Sequence, residues 1–170
     1  TSATASDFQA AGGKVLQVVQ TAKLDATSTT STSYTDITGV TVDITPSATT
    51  SKILIHFNGF FGMASNYTGF ARLVQLISGG SDVYPYLGAT GLTTSNTATI
   101  GWGGSNFDAR NYANCTFTYL DSPSTTSAIT YNMEWYLEGS TGYLNRSGQD
   151  TDVSYHAAVP STITVMEIGA

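Results

Sequence analysis

Charge is what this sequence has least of. Of its 170 residues only 11% are Asp, Glu, Lys or Arg, against about 25% in an ordinary globular domain. The basic residues Lys14, Lys23, Lys52, Arg72, Arg110 and Arg146 are scattered, and twelve acidic residues leave a net charge of −6. Nucleic acid and anionic membrane surfaces are held by clustered Lys and Arg, so neither is an expected partner. Cysteine occurs once, which excludes an internal disulfide framework. Cys115 lies in the alternating run Asn114-Cys-Thr-Phe-Thr-Tyr-Leu120, the setting of a buried, inert thiol. Two isolated histidines, His56 and His156, cannot make a His-rich metal site, and no metal or cofactor is expected. No apolar run approaches the ~20 residues of a membrane span, and no basic-then-apolar leader is present; membrane insertion is not expected. A first residue of Thr1 rather than Met reads as a fragment or processed product.

What replaces charge is Ser, Thr, Gly and Tyr, residues that suit strands and turns better than helices. Alternation confirms the direction. Val40, Val42 and Ile44 face one way while Thr41 and Asp43 face the other, the period of a half-buried strand. Ile129, Tyr131, Met133, Trp135 and Leu137 alternate with Thr130, Asn132, Glu134 and Tyr136 in the same way. Further strands are predicted at 14–21, 34–37, 52–61 (apolar on both faces in its first half), 70–77, 97–102, 115–121, 143–145 and 161–168. Val83–Leu87 is predicted as a short strand that Pro85 confines to an edge. Ala26–Ser33 reads as an extended edge or loop. No window carries a sustained helical period, and no repeat of fixed length occurs. These features predict an all-β chain, an antiparallel β-sandwich of jelly-roll type over residues 14–170. Residues 1–13 read as a linker or the end of a stalk.

Catalytic signatures are missing. There is no Gly-x-Ser-x-Gly, no phosphate loop and no zinc-spaced Cys or His. His156 lies near Asp150, Asp152 and Tyr155, a group that a turn built from Asp explains as well as a dyad or cation site does. Asp108, Asp121, Glu134, Glu138, Asp150 and Asp152 could supply the carboxylate pair of a glycosidase only by meeting in space, and their spacing gives no support. The expectation is a protein without enzymatic activity. Three Asn-x-Ser/Thr sequons, at Asn66, Asn114 and Asn145, are uninformative in a chain this rich in Ser and Thr.

The stretch from Gly88 to Asn114 loses the alternation and is rich in Gly, Asn and Thr. Tyr84, Tyr86, Trp102, Phe107 and Tyr112 lie in or beside it. Such rings present a flat apolar face suited to sugars or protein partners, or else fold back onto the core. The expected ligand site is therefore this segment with the Tyr84–Tyr86 edge. Trp102 is the first-choice stacking platform, Phe107 and Tyr112 are next, and Asn106, Asp108 and Arg110 are polar contacts. As a loop residue, Trp102 should be replaceable without loss of the fold.

An ordered set of segments carries a resemblance. Gly13-Lys-Val-Leu-Gln-Val-Val-Gln20, Thr32-Ser-Tyr-Thr-Asp-Ile-Thr-Gly39, Val42-Asp-Ile-Thr-Pro46 and Ser51-Lys-Ile-Leu-Ile55 come first. Tyr119-Leu-Asp-Ser-Pro-Ser-Thr-Thr126, Thr130-Tyr131, Asn145-Arg-Ser147 and Ser161-Thr-Ile-Thr-Val-Met-Glu-Ile168 follow. Together they resemble a family of bacteriophage virion structural proteins, the tail-fibre or fibre-tip domains frequent in marine phages. The resemblance implies an extracellular virion component, a homotrimer with a β-sandwich head on a slender stalk, joined to other virion proteins on its N-terminal side. It supplies no catalytic residues. The Arg expected near the Gly79-Gly80 turn is absent, and Gly91–Asn114 matches nothing in the family, as a host-specific loop would. The function it implies is adhesion to a host cell-surface receptor, a glycan foremost; the alternative is a purely structural domain of a fibre or capsid surface with no ligand of its own.

Overall fold

The computed structural model describes residues 13–88, 97–149 and 158–169. The linker expected at residues 1–13 thus lies, except for Gly13, outside the described residues, as does the His156, Asp150, Asp152 and Tyr155 group. Every regular element among the described residues is a strand: β1 (Lys14–Lys23), β2 (Thr27–Thr29), β3 (Thr35–Ile44), β4 (Lys52–Met63), β5 (Thr68–Ile77), β6 (Ile100–Gly103), β7 (Ala113–Asp121), β8 (Ile129–Leu137), β9 (Gly142–Leu144) and β10 (Ser161–Gly169).

Two sheets form. In the first, β10 lies between β1 and β4, β7 flanks the other edge of β4, and the short β9 and β2 continue from the far end of β4. The second runs β3-β8-β5-β6. With the two three-residue strands set aside, the first long strand pairs with the last, β3 with β8, β4 with β7 and β5 with β6, all antiparallel. This is one long hairpin wrapped around itself, the jelly roll that the alternation predicts. Val83–Leu87 departs from expectation. It makes only an isolated bridge, Val83 to Gln75, because Pro85 has no N–H to extend a ladder.

The inward faces are the ones the alternation marks. Val40, Val42, Ile44, Ile53, Ile55, Phe57, Phe61, Ile163 and Val165 meet Ala71, Leu73, Ile129, Tyr131, Met133, Trp135 and Leu137 in one core. Cys115 is buried there, and burial pushes its thiol up to about 11, so it stays protonated and inert.

Among the polar side chains buried with this core, Asp121, Asn145 and Glu167 are each held by several hydrogen bonds. Asp121 of β7 accepts bonds from Tyr131 Oη (2.6 Å) and Gln75 Nε2, which belong to β8 and β5 of the opposite sheet. Burial first, then the bond to Asp121, raises the Tyr131 phenol far above its ordinary pKa. Asn145, with no exposed surface, donates Nδ2 to the carbonyls of Lys23 and Asp25 at 2.7 and 2.9 Å and accepts from the Ser161 hydroxyl. Its backbone joins Phe60 and Val159. The sequon at Asn145 is therefore structural.

Glu167 of β10 is 1% exposed and pairs with no cation among the described residues. Ser47 N, Ser47 Oγ and Ser51 Oγ all donate to Oε1 at 2.6–2.7 Å, and Gln17 Nε2 donates to Oε2 at 2.7 Å. Burial raises the carboxyl's pKa, but these donors outweigh it and hold the group at about 2, below its ordinary 4.5. A depressed carboxylate contributes stability that is complete above pH 4.5 and lost as pH falls toward 2. Glu167→Gln would turn an amide N–H against the donors, costing on the order of 1–3 kcal/mol at neutral pH. Denaturant titrations should show that loss at pH 7. They should also show a flatter acid limb between pH 4.5 and 2 than in the parent.

Candidate functional site

The residues picked out from the sequence do not come together. Trp102 is the clearest correction. It lies in β6, is 4% exposed, and stacks on Phe61 with ring centroids 4.2 Å apart. Its cross-strand partner is Gly69, where any Cβ would run into the indole. The ring thus fills the space that a side chain on β5 leaves empty, and it belongs to the core rather than to a ligand. Phe107 is half-buried against the same core. Tyr86 stacks on Tyr119 at 4.8 Å and leans on Phe117, so it covers β7. Asp108 caps its own turn by accepting from Arg110 N at 2.8 Å, and Arg110 Nε reaches Gln149 at 3.3 Å. Asn106 is exposed and Tyr112 half-buried. The carboxylates considered as a hydrolytic pair are also dispersed: Asp121 is in the core, Glu134 is on the outer face of the second sheet, and Asp108 and Glu138 are exposed.

Tyr84 does take part in a cluster, with residues the sequence reading did not connect to it. On the outer face of the second sheet, the Arg72 guanidinium lies 3.8 Å from the centroids of both the Tyr34 and Tyr84 rings. It pairs with Glu134 at 2.6 Å and donates to Tyr84 Oη at 3.0 Å. Tyr136 continues the stack beyond Tyr34, and Phe70 lies beyond Tyr136. The charges and donors of this cluster satisfy one another, so it fastens Tyr34 and the Tyr84 segment to the sheet.

Beside it lies a groove. The β3–β8 ladder is interrupted between the pairs Asp36↔Glu134 and Thr41↔Asn132, so that Ile37–Val40 stand opposite Met133 alone. Ile37 and Val40 turn into the core, and Gly39, at φ +83°, lets the chain reverse at the tip. The bulge opens a cavity of about 390 Å³ lined by Asp36, Ile37, Thr38, Gly39, Thr41, Leu76, Asp82, Thr130 and Asn132. Asn132 Nδ2 donates to Asp36 across the gap at 2.6 Å, and Thr130 donates to Asp43 at 2.6 Å. No described cation pairs with Asp36, Asp43 or Asp82.

The outer face of the first sheet has the opposite character. Registers place Val18, Met166, Leu54 and Leu120 side by side across β1, β10, β4 and β7. Val18 and Leu120 are 56% and 51% exposed. In the next row toward one end Val15 pairs with Ile168, and Ile168 with Lys52. Toward the other end the rows are Gln20, Thr164, His56 and Thr118, then Ala22, Thr162, Asn58 and Thr116. The acidic residues on these four strands are Glu167 and Asp121, and both are buried on the inner face.

No family profile and no curated protein matches the chain. Among solved structures it is similar to a chain in the structure of infectious bursal disease virus, Gx strain, with 11% identity and a TM-score of 0.43. That similarity covers 92% of this chain and 40% of the other, so this chain spans less than half of the viral chain's length.

Trp102→Ala should remove a core ring and leave a cavity, at a cost of roughly 3–5 kcal/mol. Trp102→Phe keeps a stack on Phe61 and deletes an indole N–H that has no hydrogen-bond partner, so it should cost clearly less. Chemical denaturation of the two variants checks both the size and the order.

Proposed function

We propose that this chain is a structural domain of a virus particle, and that copies of it assemble through the outer face of the first sheet. The carrying observation is the apolar row Val18–Met166–Leu54–Leu120, which runs from one edge of that sheet to the other without a carboxylate on its face. At a strand spacing of 4.7–4.9 Å the row spans about 14 Å. The row is flanked by Thr, Gln, Asn and His56 on one side and by Val15, Ile168 and Lys52 on the other. Exposed apolar surface of this kind, with no carboxylate beside it in a chain of net charge −6, suits contact between subunits. Three such faces around one axis would bring three copies of each row together, an apolar layer followed by hydroxyl and amide layers. A homotrimer of this form agrees with what the resemblance to phage fibre domains implies. The fold lends associational support only, since jelly rolls serve in virus particles and in lectins alike.

The protein should sediment as a trimer at micromolar concentration. Leu54→Glu, at the centre of the row, should reduce it to a folded monomer with the strand content of the parent, because Leu54 faces away from the core. Its melting temperature should be lower, because the subunit contacts are lost. Leu24→Glu, at a more exposed apolar residue outside the strands, should leave the assembly intact. A parent protein that is monomeric at these concentrations, or a Leu54→Glu variant that still associates, counts against the proposal.

A further inference from the structure

The groove on the outer face of the second sheet does something that assembly through the first sheet does not require. A gap of four residues against one in an antiparallel ladder breaks backbone pairing, and bulges of this kind re-aim side chains and are retained as features of a fold. Here the result is a cavity of about 390 Å³, within the range of about 300–1,000 Å³ typical of small-ligand sites. Its rim offers two carboxylates (Asp36 and Asp82), the hydroxyls of Thr38, Thr41 and Thr130, and the Asn132 amide. Its apolar lining is Ile37 and Leu76.

We infer that this groove binds a neutral saccharide. Asp36 accepts one bond, from Asn132 at 2.6 Å through Oδ1. Neither it nor Asp82 has a cationic partner among the described residues, so both keep carboxylate lone pairs that can accept from hydroxyl groups. Ionised carboxylates are acceptors only and form the stronger class of hydrogen bond. Thr hydroxyls can donate as well as accept, which matches a ligand whose own hydroxyls do both. Leu76, half-buried on the outer face, provides a surface for the C–H face of a sugar ring. Anionic ligands, acidic sugars included, are repelled by the same two carboxylates. A bare metal ion is a poorer match, because no three acidic or metal-ligating side chains converge among the described residues.

Amide chemical shifts of the isotopically labelled full chain provide the test. The probes are the methyl glycosides of glucose, galactose, mannose and N-acetylglucosamine, with sialic acid, spermidine and calcium chloride as comparisons. At least one neutral glycoside should shift the amides of Thr38, Gly39, Thr41 and Asn132 saturably, and sialic acid should not. Asp82→Ala should weaken that binding about tenfold, as expected for one lost charge-assisted hydrogen bond, and Asp36→Asn should act in the same direction. Asp108→Ala, on the β6–β7 connection, should leave it unchanged. The Leu54→Glu variant should bind as the parent does, which separates this inference from the assembly proposal. The inference is overturned if no neutral glycoside moves these amides, if spermidine or calcium moves them instead, or if the shifts fall on Gly104–Asn111. Unaltered binding by Asp82→Ala, or binding lost in Leu54→Glu, would equally reject the groove as the site.

Discussion

A sandwich this poor in charge depends on how it treats the few polar groups trapped between its sheets, and Asn145 is the strictest case. Its side chain is wholly enclosed, yet both amide protons and the carbonyl oxygen are engaged. Its backbone sits at φ +67°, a region Asn tolerates better than most residues. One residue thereby ties the end of β1, the middle of β4, the start of β10 and the turn after β9 to a single point. The Asp121 and Glu167 clusters follow the same rule with carboxylates. Asp121 joins the two sheets through Tyr131 and Gln75, and Glu167 anchors the connection between β3 and β4 against β1 and β10. An unpaired group at any of these places would cost more than the bonds return, since burial removes water as the alternative partner.

Much of the architecture was legible in the residues because alternation reports burial directly. The alternating sets of β3 and β8 were assigned to the right faces, and the strand count and jelly-roll class followed. Strand β4, apolar on both faces in its first half and expected to be buried on both, buries Ile53, Ile55 and Phe57 and leaves Lys52 and His56 exposed. Trp102 was not legible. Glycines at 101, 103 and 104 erase the alternation around it, and the glycine that makes room for it, Gly69, is more than thirty residues away in the chain. The neighbours of Tyr86, Phe107 and Arg110 were not legible for a related reason. Loop composition says that a backbone is released from a ladder, but it says nothing about which neighbour a side chain then meets.

The two surfaces that now carry functional proposals were hidden differently. Val18, Leu54, Leu120 and Met166 each look like ordinary strand residues. Only the registers among β1, β10, β4 and β7 align them in one row. Asp43, Thr130 and Asn132 were visible as outward residues, but the groove beside them depends on a three-residue excess in β3 that leaves no mark in composition. These surfaces lie on opposite faces of the sandwich. An assembly closed around the first would leave the second facing outward, so a single domain could both pack with its copies and meet a soluble or cell-borne ligand.

The pairing of β1 with β10 also fixes when the domain can come into being. Lys14 lies opposite Gly169 and Lys23 opposite Ser161, so β1 must wait for β10, which is made well over a hundred residues later. Until then β4 lacks one of its neighbours as well, because β10 fills the place between β1 and β4. Contacts so distant in sequence make folding slow, and a growing chain exposes strand edges open to pairing with other chains. Completion is therefore nearly all-or-none, and copies emerging close together would be in a position to find one another as they close.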